Sequence, residues 1–460
     1  VQRALPPLSS FKTPRAAAAA VLALGCIASC VVNFPGSLED DSFVQLLEGR
    51  RGVYGFWHTP VLSWLLGLSD RLIPGTGIYV LVLTVLTFAA LTSLLWLVPR
   101  VSWAAVIGAA VLVCLPQLLL FQAIVWKDVL FADACLIGFV CLAHAGARWR
   151  MRRLRFALIG LSAGFLALAM LARQNGAIML PCAAVALGAI AAVHEKRWRV
   201  GAAYAAVLAV ASGAAALAAN AALELRSDGT PALEMQFKTL QLYDTVGMVK
   251  KQPGLHLSVL DKDAPELARL IRTDGVRLYS PVKNDTLENS WRIVVALDEV
   301  PAAVLSKQWR ELVFHHPGTY LAVRAELFSW LFLPTHVGLC HPYHVGDEGS
   351  PDDLAALGMH PRMDRRDVIL GNYGKAFVGT PVFAHPAFGL VAILALALLM
   401  RRRRPADLAM AGLLAATLLF TLSFFVISIA CDYRYLYALD ISAIAAALYL
   451  LADWPTKKGA

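Results

Sequence analysis

The sequence predicts an all-α polytopic membrane protein of about ten transmembrane helices, interrupted by one large and mostly helical polar insert. Three observations predict it. Of the 460 residues, 58% are hydrophobic and only 16% charged, with a mean hydropathy of +0.62, a profile foreign to soluble domains. Apolar segments recur at the ~20-residue length that crosses a bilayer. The formal net charge of +9 is gathered in short Lys/Arg runs beside those segments, the pattern of topology determinants. No nucleic-acid partner is expected.

Ten segments are long and apolar enough to span: 16–34, 78–98, 101–120, 124–144, 156–172, 176–193, 199–220, 383–400, 407–428 and 434–452. Lys12 and Arg15 precede the first, which fits either a cleaved signal peptide or a retained span. A retained span is preferred, because the polar cluster Glu39-Asp40-Asp41 follows it. With the N-terminus on the cytoplasmic side, Arg100, the runs 148–155 and 194–199, Arg401–Arg404 and Lys457-Lys458 all fall inside, as the positive-inside rule requires. Residues 35–77, 121–123, 173–175, 221–382 and 429–433 then fall outside. Val61–Leu68 is apolar, but Ser69-Asp70-Arg71 follows too soon for a span. It is expected to be a helix lying on the outer membrane surface.

This divides the chain into an N-terminal transmembrane module, 1–220, an extracytoplasmic insert, 221–382, and a C-terminal transmembrane module, 383–460. Within the insert, Ala302–His315 reads as helix because Leu305, Trp309 and Leu312 recur at helical spacing. Pro317 breaks it, and Gly318–Phe332 reads as a second helix that holds Arg324 and Glu326 and is therefore no span. Segment 336–382, rich in His, Pro, Gly and Asp, reads as irregular or mobile. Of eight cysteines, six lie in apolar runs and behave as small hydrophobes. Cys340 and Cys431 fall outside, where they either pair in an oxidising compartment or stay as two thiols.

The same topology collects polar residues at one face. Glu39, Asp40, Asp41 and His58 come from the first outer loop (35–77), and Trp126, Lys127 and Asp128 from the start of the fourth span. Arg173, Gln174 and Asn175 follow the fifth span; Asp432, Tyr433, Arg434 and Tyr435 form the last outer turn. The insert adds Tyr243 and Asp244. Charged groups beside hydrocarbon are costly, so their convergence points to function. Lys127, Arg173 and Arg434 suit phosphate, Arg as a fork of donors and Lys as a point charge. Asp40 or Asp41 suits general-base work on a hydroxyl. Structural readings stand beside these: Asp40 as a helix cap, Lys127–Asp128 as an ion pair, Arg173 and Arg434 snorkelling to headgroups, Asp432 pairing with Arg434, and Pro60 opening the surface helix after His58-Thr59. His336, His341, His344 and His360 lie near Asp347 and Asp364, but without the His or Cys spacing that defines a zinc site. There is no internal repeat, GxGxxG fingerprint or Walker loop.

Taken together, Pro35-Gly36-Ser37-Leu38-Glu39-Asp40-Asp41-Ser42, Trp57-His58-Thr59-Pro60, Trp126-Lys127-Asp128, Arg173-Gln174-Asn175-Gly176 and Tyr433-Arg434-Tyr435-Leu436-Tyr437 resemble the GT-C superfamily of membrane glycosyltransferases. The resemblance covers most of residues 16–200 and 429–445. It implies a sugar donor carried on a polyprenyl phosphate and an extracytoplasmic envelope acceptor, whether lipid, polysaccharide or protein. It also implies inversion at the anomeric carbon by a single displacement. Carried onto this chain, Asp41 is favoured as the base over Asp40 and Glu39. Lys127, Arg173 and Arg434 become ligands of the donor phosphate, with His58, Asp128, Tyr433 and Tyr435 beside them. A divalent cation, Mg or Mn, at Asp40 and Asp41 is the alternative use of the carboxylates. An Ala- and Arg-rich composition fits a bacterial inner membrane with the site facing the periplasm. The competing readings are an O-antigen-ligase-like transferase with a pyrophosphate-linked donor, a lipid or glycan transporter, and a non-catalytic assembly partner.

Overall fold

The computed structural model describes residues 13–55, 58–227, 232–283 and 285–454; Lys12, Trp57, Lys457 and Lys458, named above, lie outside them. Nine helices among these residues have the length and apolarity of a membrane span: Pro14–Asn33, Gly77–Trp96, Lys127–Ala147, Arg152–Ala172, Gln174–Glu195, Trp198–Glu224, His385–Arg402, Pro405–Ile427 and Tyr433–Ala452. The tenth expected span, 101–120, is bent. Trp103–Val113 and Pro116–Ala123 meet at 65°, because Pro116 offers no amide to the preceding turn and its ring resists continuation of the helix.

The helix ends sort onto two faces. At the basic face, Arg15 donates to the carbonyls of Leu95, Val98 and Pro99, and Ser102 bonds the backbone of Leu451 and Ala452. Trp149 reaches Glu195, and Arg404 pairs with Asp453. At the acidic face, the Ser37 amide donates to the Ala123 carbonyl at 2.9 Å and the Ser37 carbonyl accepts from the Val125 amide at 3.1 Å, joining the end of the first span to the start of the fourth. The bent segment therefore begins at one face, at Ser102, and ends at the other, at Ala123. Its crossing preserves the alternation expected from the charge runs.

Two short helices lie at the acidic face after the first span, Asp40–Arg51 and Pro60–Leu72. The second is the surface helix expected at 61–68, with Pro60 in its first turn. The first begins in the acidic cluster, and Asp40 and Asp41 complement the partial positive charge of its N-terminus. The two helices pack backbone against backbone at Gly49 and Gly67, where a Cβ on either would lie 2.2 Å from the other's backbone. Only glycine fits there.

The insert carries its own apolar cluster, built from residues between Leu242 and Leu327. Ala302–His315 is helical as expected, and the following helix runs Pro317–Phe332. Arg324 turns that helix inward. Its buried guanidinium pairs with Asp244 and donates to the Ser428 carbonyl at 2.8 Å, which docks the insert on the end of span Pro405–Ile427. Segment 336–382 is more ordered than its composition suggested. It forms helices Pro351–Leu357 and Arg365–Phe377 and clasps the first outer loop. Leu38 exchanges backbone bonds with Gly346 and Glu348 at 3.0 Å, while Arg362 joins Asp347 at 2.8 Å and the Gly36 carbonyl at 2.6 Å. Cys340 and Cys431 form a disulfide that ties this segment to the last outer turn.

Candidate active site

The acidic face holds a cavity of about 630 Å3. Its floor comes from helix ends: Glu39, Asp40 and Asp41, then Lys127, then Arg173, Gln174 and Asn175, then Asp432, Arg434 and Tyr435. An apolar wall is made by Phe424 and Ile427, and the roof by Phe237 and Leu240 of insert helix Ala232–Lys251. Four separated sequence segments thus meet as the charge topology required.

Arg434 organises the floor. It pairs with Asp432 at 2.7 Å, with Asp41 at 3.0 Å and with Glu39, and lies 3.8 Å from Asp128. Its guanidinium sits 5.1 Å from the Trp126 ring centroid, a cation–π contact that favours the charge. Arg173 pairs with Asp128 and lies beside the stacked rings of Phe424 and Tyr435, 5.3 and 5.2 Å from their centroids. Neither arginine snorkels: Arg434 is only 8% exposed. Burial lowers Arg173 to about 10, which leaves it charged at neutral pH. Lys127 differs. Among the described residues it has no carboxylate within ion-pair distance, while Asp41 acts on it electrostatically and its side chain lines the cavity.

The carboxylates are not equivalent. Burial raises Asp41, but Arg434, His58 and Lys127 together outweigh it and hold this carboxyl below its ordinary range. Burial raises Glu39 against the pull of Arg434, and raises Asp432 likewise. Asp40 is exposed at the cavity rim. Asp41 is therefore the carboxylate that lines the cavity, stays ionised and is held in place. Behind it, the His58 Nε2 lies 3.7 Å away. Burial and Lys127 push His58 down to about 4, so it is neutral at physiological pH.

Three residues expected to touch a donor lie behind the lining. Tyr433 turns inward and donates to Asp440 at 2.7 Å; in the 3-10 turn of residues 433–436 successive side chains point about a third of a turn apart, so its neighbour Arg434 faces another way. Asp128 is buried under Arg173; the pairing is with Arg173, not with neighbouring Lys127. His58 is buried behind Asp41. Tyr243 and Asp244 also lie away from the cavity, inside the insert core, where Trp309 donates to Asp244 at 2.8 Å. Of the His tract, His341 reaches the cavity, whereas His344 is bonded to the Leu38 carbonyl at 2.9 Å.

Sequence reasoning did not single out Asp285 as a site residue. It lines the cavity from an insert loop in the left-handed backbone region, φ 61°, a conformation uncommon outside glycine. Burial raises its carboxyl. Nothing local in the sequence marks it; only the folding of 281–290 toward Cys431, whose sulfur meets the Val282 carbonyl, brings it there.

The carboxylates do not fit a divalent cation. Among the described residues no group of three or more His, Cys, Asp and Glu side chains is placed to hold one, and the Arg434 guanidinium lies where Glu39, Asp41 and Asp432 converge.

No protein-family model and no curated protein matches the sequence. Among solved structures, the chain is similar to the archaeal oligosaccharyltransferase AglB from Archaeoglobus fulgidus, in complex with an inhibitory peptide and a dolichol-phosphate. The identity is 14% and the TM-score 0.42, over 94% of this chain and 50% of that one. A form of the Archaeoglobus enzyme tethered to an acceptor peptide gives 16% and 0.43, over 96% and 50%. Arabinosyltransferase EmbB from Mycobacterium smegmatis gives 16% and 0.35, over 99% and 42%. The chain spans about half the length of each.

Proposed function

We propose that this protein is an inverting glycosyltransferase that moves a sugar from a polyprenyl-phosphate carrier to an envelope acceptor on the outer side of a bacterial inner membrane. One observation carries the reading: an ionised Asp41 shares a roofed cavity with Lys127, a cation without an ion-pair partner among the described residues, at the ends of membrane spans. A carrier phosphate arriving at the membrane surface finds Lys127 and, beside it, Arg173, while its prenyl chain lies against Phe424 and Ile427.

In the displacement the acceptor oxygen attacks the anomeric carbon, and the bond from that carbon to the phosphate oxygen breaks. The electron pair leaves with the polyprenyl phosphate, whose growing charge Lys127 and Arg173 offset. The acceptor proton passes to Asp41. Arg434 holds Asp41 in place and keeps it unprotonated; His58, neutral and behind it, limits how Asp41 can turn. No step is routed through a metal ion.

Two features support an extracytoplasmic site. The basic runs among the described residues lie at the opposite face, and the Cys340–Cys431 disulfide at this face is a bond that persists in oxidising compartments. The test is transfer by purified protein in nanodiscs, with a panel of polyprenyl-phosphate sugars and envelope acceptors, wild type against Asp41→Asn at matched folding. Transfer lost in the variant supports the reading. Wild-type turnover with pyrophosphate-linked donors alone would move it to the ligase-like class.

A further inference from the structure

One lining carboxyl takes no part in the displacement. Asp285 reaches the cavity from the insert and, among the described residues, has no ion-pair partner. Glu288 stands behind it. The two carboxyls are in hydrogen-bonding contact, and Glu288 Oε1 is buried with no other donor to meet it among the described residues. Ionised carboxylates only accept, so this contact needs a proton on one of them. Burial, then the charge of Asp285, pushes Glu288 up to about 8. At neutral pH Glu288 therefore holds the proton and donates to an ionised Asp285.

The pair is held from both sides. The Tyr243 hydroxyl, buried in the insert core, accepts from the Leu287 amide at 3.3 Å and donates to Glu288 Oε2 at 3.5 Å. Tyr243 belongs to helix Ala232–Lys251, which also roofs the cavity. On the other side the Val282 carbonyl meets the Cys431 sulfur, next to Asp432 of the floor. Asp285 sits between them in the left-handed region, at φ 61°. The charged and titratable groups acting on it are Glu288, Asp41, Arg434 and Asp432, and it acts in turn on Tyr435. Those acting on Glu288 are Asp285 and Tyr243.

Asp285 and Asp41 thus face one cavity as two ionised acceptors. The attacking hydroxyl carries one proton, which Asp41 takes, so it cannot also satisfy Asp285. The carrier phosphate cannot either, being an anion with no proton to give; it is met by Lys127 and Arg173. An acceptor with one hydroxyl leaves Asp285 without a donor under the roof, a cost that a second hydroxyl removes.

We propose that Asp285 binds the acceptor, taking a hydrogen bond from a hydroxyl beside the one that attacks, so that the acceptor is a sugar or polyol headgroup rather than a lone alcohol, with Glu288 and Tyr243 as the positioning residues behind it. Asp285 gains no proton and makes no covalent bond. This assignment rests on the transferase reading above, to which it gives an acceptor class.

Donor hydrolysis, in which water replaces the acceptor, supplies the assay. Methyl pentosides and hexosides are titrated into Asp41-dependent hydrolysis of the polyprenyl-phosphate sugar in nanodiscs, beside cyclohexanol, a ring with a single hydroxyl, and cyclohexylamine. A glycoside that fills the acceptor site displaces the water or is itself glycosylated, and hydrolysis falls either way. At least one glycoside is expected to halve hydrolysis at a concentration about ten-fold or more below that of cyclohexanol. That preference should shrink in Asp285→Asn and vanish in Asp285→Gly, which keeps the left-handed turn and removes the carboxylate. No glycoside better than cyclohexanol, a preference that survives Asp285→Gly, or cyclohexylamine as effective as the glycosides overturns the proposal. So does a donor KM raised about ten-fold in Asp285→Gly, which would put Asp285 on the donor sugar. The positioning role is read from pH. A proton held below about 8 is lost as pH rises through it, so the wild-type preference should decline above that pH. Glu288→Gln, whose amide donates at every pH, should hold it flat, and Glu288→Ala should lose it throughout. A preference flat in wild type, or declining alike in Glu288→Gln, overturns that role. Absence of Asp41-dependent hydrolysis in wild type sinks the transferase reading. Saturation-transfer NMR of the same glycosides then decides Asp285 alone: weaker transfer from Asp285→Gly than from wild type supports the site, and equal transfer overturns it.

Discussion

Replacing Arg434 by Gln keeps most of the side-chain volume and removes the charge on which the cavity floor converges. In the native protein this one guanidinium bonds Asp41 at 3.0 Å and Asp432 at 2.7 Å, reaches Glu39, and lies 8% exposed. Breaking a buried ion pair by deleting one partner costs about 3–5 kcal/mol, because the other charge is left without compensation. Here three carboxylates lose the same partner, so the cost divides. Part appears as lower stability. Part disappears because Glu39 and Asp432, already raised by burial, take up protons. The remainder falls on Asp41, which loses the cation that does most to offset burial. If about 3 kcal/mol of this reaches the transition state, turnover falls about 10²-fold. The pH profile then carries the diagnosis. A base whose pKa is depressed works above that pKa and fails as pH falls through it. Wild-type activity should therefore persist to mildly acidic pH, and the acid limb of Arg434→Gln should move upward, with partial recovery at alkaline pH. The assay is initial-rate transfer in nanodiscs from pH 4 to 9, beside a thermal-unfolding control. A folded Arg434→Gln protein within ten-fold of wild type, with an unmoved acid limb, would refute the role assigned to Arg434.

Four further outcomes follow from the same geometry. Lys127→Ala should lower kcat/KM for donor about 10-fold or more, read by steady-state kinetics as a raised KM together with a lowered kcat, because the charge holds the phosphate in the ground state and offsets its growing charge in the transition state. Cys340→Ser with Cys431→Ser removes the tie between segment 336–382 and the last outer turn; about 2–5 kcal/mol of stability is at stake, visible as a lowered thermal midpoint that reductant reproduces in the wild type. Arg324→Ala leaves Asp244 buried and unpaired and should destabilise by about 3–5 kcal/mol, whereas Arg324→Met with Asp244→Leu should recover much of it in the same unfolding assay. Lys307→Cys, on an exposed insert helix, should react with an impermeant maleimide in intact cells; protection equal to a cytoplasmic control would reverse the topology.

The parts of the fold legible in the sequence are those written in local pattern. A bilayer imposes one length and one composition, so each span shows in its own twenty residues, and the basic runs add the direction. The bend at Pro116 was also marked, by a residue that cannot extend a helix, although the apolar run around it reads as continuous. Partners distant in sequence left no such mark. Arg362 reaches back to Gly36 and Arg324 to Ser428, and composition presents the first of these only as part of an irregular loop. For the site, topology could place side chains at a face but not aim them. Tyr433 and Arg434 are adjacent, yet one points into the protein and the other into the cavity.

The division of labour at the site comes from unequal pairing of like residues. Arg434 is matched to three carboxylates and serves to hold Asp41 in position, whereas Arg173 is matched to Asp128 alone and lends the carrier phosphate support secondary to that of Lys127. Lys127, with no ion-pair partner among the described residues, is more free to meet an incoming anion. This arrangement predicts different responses to conservative change. At Arg434, lysine cannot reach three carboxylates with one point charge, so Arg434→Lys should behave nearly as badly as Arg434→Gln. At Lys127, arginine keeps the charge and adds donors, so Lys127→Arg should retain donor binding within about 10-fold, measured as KM for the polyprenyl-phosphate sugar. If instead Lys127→Arg is as damaging as Lys127→Ala while Arg434→Lys is tolerated, the roles are exchanged: Arg434 would be the phosphate ligand, and Lys127 the group that sets Asp41.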